Sequence, residues 1–554
     1  MRILLLGGYG VFGGRLVHLI SDLLGVEVLV AGRDPEKARR FCKGWMGSAS
    51  LRPILLDRAN VAAAIAGERP DLIIDASGPF QAYGDDPYRV VRAALDAGID
   101  YLDFADGADF VSRISQFDAE AKAKGVFILS GVSSFPVLIA AVLRDMAQHM
   151  TIHKVTAGIA PSPHAGVGMN VMRAVLSYAG SPVRLWRNGT ETTATGLADN
   201  LRYTVAPPGE LPLASTRFSL VDVPDLRLIP AAMPGITDIW VGAGPVPEYL
   251  HRLLSLLAVL RRIFRLPSLT PLAPLCYKVL NAARFGPHRG GMFIEAEGEV
   301  DGQPVRRSWH LLAEGDDGPL IPSMAIEAIV RKLMLTHRPP AGARAAIGDL
   351  DLADYQVLFR RRDIRQGWRD SHDAAGKSLY PLLLGDRFAR LPAEVQALHQ
   401  PGARSVWRGR ADVIRGTGLL AAVVAGMFRF PKQGKDIPVE VTFTTDAEGR
   451  ELWVRNFAGR AMRSRQEAGR GRNLHHIIER FGPVAVTLAV LIRGDRLFLV
   501  PRGWRIFGLP LPASLLPHGQ SFESAAEGRF RFHVDIDMPI IGPVVRYEGW
   551  LEPA

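Results

Sequence analysis

An apolar run of strand length, Ile3 to Leu6, leads without a break into Gly8-x-Gly10-x-x-Gly13. A helical pattern follows, with Val11, Leu16, Leu19, Ile20 and Leu23 on one side, and a second apolar run, Val26 to Ala31, closes a strand–helix–strand unit. That order restricts the chain more than any other feature, because few folds place a strand, a glycine turn and a helix in this succession. In a dinucleotide site each glycine has a physical task. Gly8 permits the tight turn, Gly10 lets the backbone approach a pyrophosphate, and Gly13 lets helix and strand pack closely. The phosphates would sit on the positive end of the helix that starts near Val11, beside Tyr9 and Phe12, where unpaired N–H groups point outward.

The end of the second strand separates one cofactor from another. An NAD site places Asp or Glu about 20 residues beyond the glycines, on the ribose 2′-hydroxyl. Here the sequence is Ala31-Gly32-Arg33-Asp34-Pro35. A small residue beside an arginine leaves room for a 2′-phosphate and supplies a partner for it, which favours NADP over NAD. The alternative is that Arg33 is a solvated loop charge. Asp34 is expected to cap the next helix, with Pro35 at its first position. Asp57, after the third strand, could reach an adenine amino group or cap the helix that follows, the cap being the favoured role.

Alternation of strands and helices continues to residue 129. Strands are expected at Pro53–Leu56, Asp71–Asp75, Asp100–Asp103 and Val126–Leu129, which with the first two make a six-strand set. Helices are expected at Glu36–Cys42, Val61–Ile65, Tyr88–Ala97 and Phe110–Lys124. The implied architecture is a doubly wound parallel sheet covered by helices, a Rossmann fold over residues 1–134. Ligands bind at the carboxyl ends of such strands, so Ser77, Gly78, Pro79 and Phe80, after the fourth strand, would wall the nicotinamide.

At 554 residues, about three domains are expected. Residues 135–345 read as an α+β domain for substrate contact or dimerisation, with strands at Lys154–Ala160, Val183–Arg187, Met292–Val300 and Val305–Leu312. The last two are joined by an Asp301-Gly302 hairpin turn. Residues 346–377 turn polar and charged and read as a linker. Residues 378–554 begin with helix candidates (Pro381–Phe388, Ala393–His399, Leu419–Phe428) and continue as strands with short turns, an antiparallel sheet or half-barrel. A helix is expected around His475-His476, which would then point apart.

The chain resembles the saccharopine-dehydrogenase-like oxidoreductases. The resemblance rests on Gly7-Gly-Tyr-Gly-Val-Phe-Gly13, Ser77-Gly-Pro-Phe80 with Tyr83-Gly84, Ala97-Gly-Ile-Asp-Tyr-Leu-Asp103, Val221-Asp-Val-Pro-Asp225, and Trp309 to Gly318 leading into a helix at Pro322. It implies NADP-dependent hydride transfer with a carbonyl, imine or amine, small or amphiphilic. Two departures bear on the substrate. Where such proteins often carry Gly-Glu after the fifth strand, this chain has Ala105-Asp106. Ser130-Gly-Val-Ser-Ser-Phe-Pro136 lacks the Cys and the Asp often found after the sixth. These losses motivate a rival reading, a nucleotide sensor or lipid-associated adaptor without turnover. The C-terminal segment resembles an uncharacterised domain appended to such proteins, through Trp453-x-Arg455-x-Phe457, Phe481-Gly-Pro483, Gly508-Leu-Pro-Leu-Pro512 and Tyr547-x-Gly549.

Hydride chemistry needs one proton handled beside the nicotinamide, so donors must share the crevice. Three candidates follow: Asp106 after the fifth strand, His164 in a loop entering the second domain, and His310 in mid-strand. No Tyr-x-x-x-Lys follows the fourth strand, which argues against a short-chain dehydrogenase. No metal-ligand cluster is evident. Two cysteines, Cys42 and Cys276, make no disulfide framework and fit a reducing cytoplasm. The net charge of +10 suits anionic partners, but no nucleic-acid motif accompanies it. Glu248 to Arg265 forms an amphipathic pattern with His251, Ser255, Arg262 and Arg265 on one arc and Leu250, Leu253, Leu254, Leu257, Leu260 and Phe264 on the other. The ordinary reading puts that apolar stripe on the core. The other is peripheral contact with an anionic inner-membrane surface. A homodimer is compatible with the second domain.

Overall fold

The computed structural model describes residues 1–245, 247–282, 285–370, 378–400 and 404–554. The polar stretch 371–377, the end of the expected linker, lies outside them. Two compact units result: Met1–Leu201 with Thr216–Arg365, and Arg202–Ser215 with Gln366–Ala554.

In the first unit a parallel sheet runs in the order 342–345, 127–130, 100–103, 72–75, 2–6, 27–32, 50–55. Its middle strands are buried on both faces, which is why they read as continuous apolar runs. The sheet has seven strands, not the six expected from residues 1–134. The seventh, Gly342–Ala345, returns from beyond the second domain and lies parallel to Phe127–Ser130. The helix Ile321–Met334 just before it packs on the glycine-loop helix Val11–Leu19. There Ser323 Oγ donates to the Phe12 carbonyl (3.3 Å) and Arg331 donates to the Leu19 carbonyl (2.9 Å). Residues 346–370 are likewise not an extended linker. They contain the helix Leu352–Phe359, closed by an Asp351/Asp354 capping box, and a strand at Ile364–Asp370. The expected helix Phe110–Lys124 is broken into Ala108–Ser112, a 3-10 turn and Asp118–Lys124.

The second layer of this unit is a mixed sheet whose centre is Thr216–Leu220, Asp238–Ala243, Thr151–Ala160, Arg289–Val300 and Gln303–Glu314. Asp301 and Gly302 both take positive φ, the two-residue turn their sequence signals. The helix Glu248–Phe264 forms as expected but turns part of its apolar stripe outward, leaving Leu250, Leu254, Leu257 and Leu260 half-buried. His251, Ser255 and Ala258 are buried, while Leu253, Leu256, Ile263 and Phe264 are exposed, Phe264 at 66%. Small side chains explain the rotation. Ser255 Oγ meets Ser219 Oγ at 3.4 Å, and the Ala258 carbonyl would sit 2.4 Å from a Cβ at Gly180, so only this thin face fits so close a neighbour. Burial, with Arg217 nearby, lowers the His251 pKa to about 4, so it is neutral there.

In the second unit ten antiparallel strands close into a barrel rather than a half-barrel. From Arg404–Arg415 the order runs through 434–445, 451–457, 460–468, 477–481, 484–493, 496–506, 521–526 and 529–538 to 542–553, which pairs back with the first. Closure removes the exposed edges an open sheet would carry. The pair His475-His476 precedes a strand instead of lying on a helix, and His475 takes positive φ.

Candidate cofactor and active site

The left-handed residue of the glycine turn is Gly7 (φ +71°), not Gly8. A Cβ at Gly7 would lie 2.7 Å from the Ala76 carbonyl oxygen. Gly8 instead leaves room for Val30 behind the turn. A Cβ at Gly13 would come within 2.4 Å of the Gly7 carbonyl, which is the close packing its position called for. The helix begins after Gly10 with no side-chain cap and no acidic residue in its first turn, so its leading N–H groups face a crevice with the dipole's positive end unneutralised.

That crevice, about 590 Å³, lies at the carboxyl ends of the strands, where the order of the parallel sheet reverses. Tyr9, Gly10, Val11, Phe12, Arg33, Asp57, Ser77, Gly78, Pro79 and Phe80 all line it, whereas Gly8 and Gly13 lie behind the wall. The Tyr9 ring lies against Gly32, where any Cβ would collide with it, and its hydroxyl accepts the Asp34 N–H at 2.9 Å. Asp34 is turned away and accepts Lys37 N–H at 3.1 Å, capping the helix at Pro35. Arg33 is exposed on the crevice wall, and its side chain makes no hydrogen bond or ion pair among the described residues. Asp57 caps the turn after it through Ala59 N–H (2.9 Å). An NAD-type carboxylate at the strand end is therefore missing, and a guanidinium stands there.

Across the crevice, buried Asp75 accepts both the N–H (2.9 Å) and the hydroxyl (2.5 Å) of Ser77, which fixes the loop. Burial pushes the Asp75 carboxyl up. Tyr83 bonds Ser77 Oγ at 2.9 Å, and the Arg58 guanidinium lies 3.6 Å over the Tyr83 ring. The Gly78 carbonyl accepts Asn170 Nδ2 at 2.8 Å, which ties the Ser77–Phe80 loop to the second layer. Tyr83, quoted above only for the resemblance, lines the crevice too, and so do Arg58, Phe104 and Gly168–Val171, which the sequence did not single out. The Gly168–Val171 stretch carries no motif, and only the fold brings it here.

Of the three proton-donor candidates, Asp106 alone lines the crevice. It accepts Gln81 Nε2 at 2.9 Å, and burial, with nearby Asp222 adding to it, raises its pKa. Asp222 is raised by burial too, and so is Tyr178, to which Asp222 and Asp106 add in turn. Asp106, Asp222 and Tyr178 come from distant parts of the chain, and only the fold brings their charges within reach of one another. His310 is fully buried in the second sheet, opposite Phe293, with Nε2 2.9 Å from Ser308 Oγ. His164 faces the Gly286 carbonyl (3.1 Å) and the His288 ring (4.6 Å). Neither histidine reaches the crevice, because strand alternation turns one into the sheet and the Ser162 turn diverts the other. Asp225 is fully buried with no hydrogen-bond partner from another described residue, and burial raises its pKa to about 8. Among the described residues no group of three or more His, Cys, Asp or Glu could hold a metal. No helix among them is long and apolar enough to cross a membrane.

Residues 3–129 match the family model of the saccharopine dehydrogenase NADP binding domain. Residues 391–551 match a domain of unknown function, DUF4166. A comparison with curated proteins finds no match. Among solved structures, the chain is similar to apo saccharopine dehydrogenase (L-Glu forming) from Saccharomyces cerevisiae, at 12% identity and a TM-score of 0.47, covering 67% of this chain and 99% of that one. It is also similar to an amine dehydrogenase from Mycobacterium smegmatis (12%, 0.33, 62% and 94%) and to an engineered D-amino acid dehydrogenase bound to NADP+ (14%, 0.31, 64% and 98%). Likeness at this level says nothing of activity. Residues 3–129 are thus a saccharopine-dehydrogenase-type NADP-binding domain, and residues 391–551 an appended domain of unknown function.

Proposed function

We propose that the first unit is an NADP-dependent oxidoreductase acting on a carbonyl, imine or amine. The observation that carries this reading is the second-strand end, where Gly32 and an exposed Arg33 replace the carboxylate an NAD site needs. The residues fit the cofactor. The uncapped helix start after Gly10 suits a pyrophosphate, Arg33 a 2′-phosphate, and Ser77 to Phe80 the nicotinamide face. When bound, a nicotinamide supplies or takes the hydride. The chain's part is to hold the substrate against that face, exclude water with Phe12, Phe80 and Phe104, and keep a proton on an Asp106 carboxyl oxygen until it is needed. Fluorescence titration with NADPH and NADH tests the reading. Tight NADPH and weak NADH binding is expected, and binding of neither overturns it.

One observation favours a second reading, a nucleotide-binding adaptor at an anionic membrane surface. The exposed Leu253, Leu256, Ile263 and Phe264 stand beside exposed Arg252, Arg262 and Arg265, the composition that suits an interfacial helix. NADPH binding without consumption against a metabolite panel, together with co-sedimentation with phosphatidylserine vesicles, would support it. NADPH consumption would reject it.

A further inference from the structure

The C-terminal barrel is not filled. It encloses a cavity of about 200 Å³ walled by Phe428, Phe443, Trp453, Phe457, Phe530 and Phe532, among other apolar side chains. Burial along single strands shows the same void. On Arg529–Met538 the inward positions Phe532, Val534, Ile536 and Met538 pack on the barrel core yet stay only partly buried, as do Val486 and Leu499 on two other strands. In a solid barrel these positions would be closed off by side chains from the opposite wall. Here they face empty space, and an apolar cavity of this size stays dry and takes up apolar molecules.

Of the charged groups in the wall, Arg455, Glu479 and Glu523 have partners, and Asp535 lies beside Gly519. Arg455 donates to Ser464 Oγ (2.7 Å) and to Glu479 Oε1 (3.3 Å), and its guanidinium lies 4.5 Å from the Trp453 ring centre. Glu523 is bonded to the buried His399. With Arg455, Glu479 and Glu523 engaged in this way, the cavity suits a chain without an ionic group at its inner end. Wall residues that are themselves exposed, His518 and Gly519, mark where it opens.

The helix Leu419–Met427, set between the strands 404–415 and 434–445, carries no polar side chain at all. Its inner side gives Val424, and Phe428 just after it, to the cavity wall, while Ala421 and Ala425 pack tightly. Its outer side leaves Leu419 (83% exposed), Leu420, Val423 and Met427 in solvent. A helix apolar on every side is normally buried. One that is half cavity wall and half bare surface offers an apolar molecule a continuous path from outside to inside.

We propose that the barrel binds one single-chain lipid, with its tail in the aromatic cavity, its polar head at the His518 opening, and the Leu419–Met427 helix as the route of access. The full-length protein is titrated with dansylaminoundecanoic acid. Saturable one-to-one binding is expected, with a blue-shifted emission, displacement by oleic acid and by the uncharged oleyl alcohol, and no displacement by NADPH. Val486→Trp and Leu499→Trp each put an indole into the cavity from a different strand. Whichever keeps the parental circular dichroism and melting should bind at least tenfold more weakly. No saturable binding, full binding by a folded filling variant, or displacement by NADPH overturns the proposal. If both variants fail to fold, bromine-substituted stearic acid decides on the unaltered chain. It should quench tryptophan fluorescence, and Trp453→Phe should lose most of that quenching. Equal quenching in the two proteins overturns the proposal.

Discussion

The crevice of the first unit and the cavity of the second are built from opposite materials. The crevice is a backbone device in which glycines remove side chains, so that peptide N–H groups and one arginine can face a charged ligand. The cavity is a side-chain device in which phenylalanines from many strands surround a mostly apolar space. A backbone device depends on a few positions absolutely, whereas a side-chain device spreads its dependence over many. Substitutions should therefore be all-or-none in the first and graded in the second.

Gly13→Val is the sharpest test. The added Cβ would lie 2.4 Å from the Gly7 carbonyl, and NADPH affinity measured by fluorescence should fall more than about 100-fold, while dansyl-lipid binding stays within about twofold. Loss of both would show that the two devices are not independent. Next comes Asp106→Asn. With any substrate found in an NADPH-consumption screen, kcat should fall about 100-fold. The parent's reductive rate should decline as pH rises through the raised Asp106 pKa, because the carboxyl then loses the proton it donates, and the variant should lack that limb. Arg33→Ala should weaken NADPH binding about tenfold or more, the scale of a lost charge-assisted pair, and leave NADH within about twofold. Equal losses would show that Arg33 does not read the 2′-phosphate.

Asp225→Asn should give the smallest effect, a gain of a few degrees in Tm. The folded chain holds the Asp225 proton up to about pH 8, while the unfolded chain releases it near the ordinary carboxyl value. This group's contribution to stability is therefore complete at low pH and declines as pH rises to about 8. Thermal melts should show a larger gain for the variant at about pH 8 than at about pH 5.

The same contrast explains what the sequence disclosed. The positions of Gly10, Gly13 and Arg33 at the turn and the strand end were legible because a strand–turn–helix–strand unit imposes fixed spacing on consecutive residues. Asp222, Tyr178 and Asn170 were not, because only the fold brings them to Asp106 and Gly78. His310 and His164 misled for the same reason, since residue type says nothing about which way a strand or turn aims it. In the barrel, Val484–Arg493 is a nearly continuous apolar run that reads as a strand from the sequence alone. Arg404–Arg415 and Arg460–Ala468 are harder to read, because their inward positions include Gly409, Ala411, Ser464 and Gln466, which break the apolar alternation. The helix at Glu248 was placed correctly, but part of its apolar stripe faces outward. Its wheel shows where apolar residues lie, but the closeness of Gly180 and Ser219 selected the thin face instead.

The late strand Gly342–Ala345 bears on how the protein is made. A ribosome delivers the glycine loop within the first few dozen residues, but the sheet that carries it lacks an edge, and its helix lacks a neighbour, until some 300 residues more have emerged. During that interval the Phe127–Ser130 strand exposes an unpaired edge, the condition under which nascent chains associate wrongly. A fragment ending at residue 134 would keep that hazard permanently. One ending after Arg365 closes the sheet and is the shorter piece to express for nucleotide-binding work.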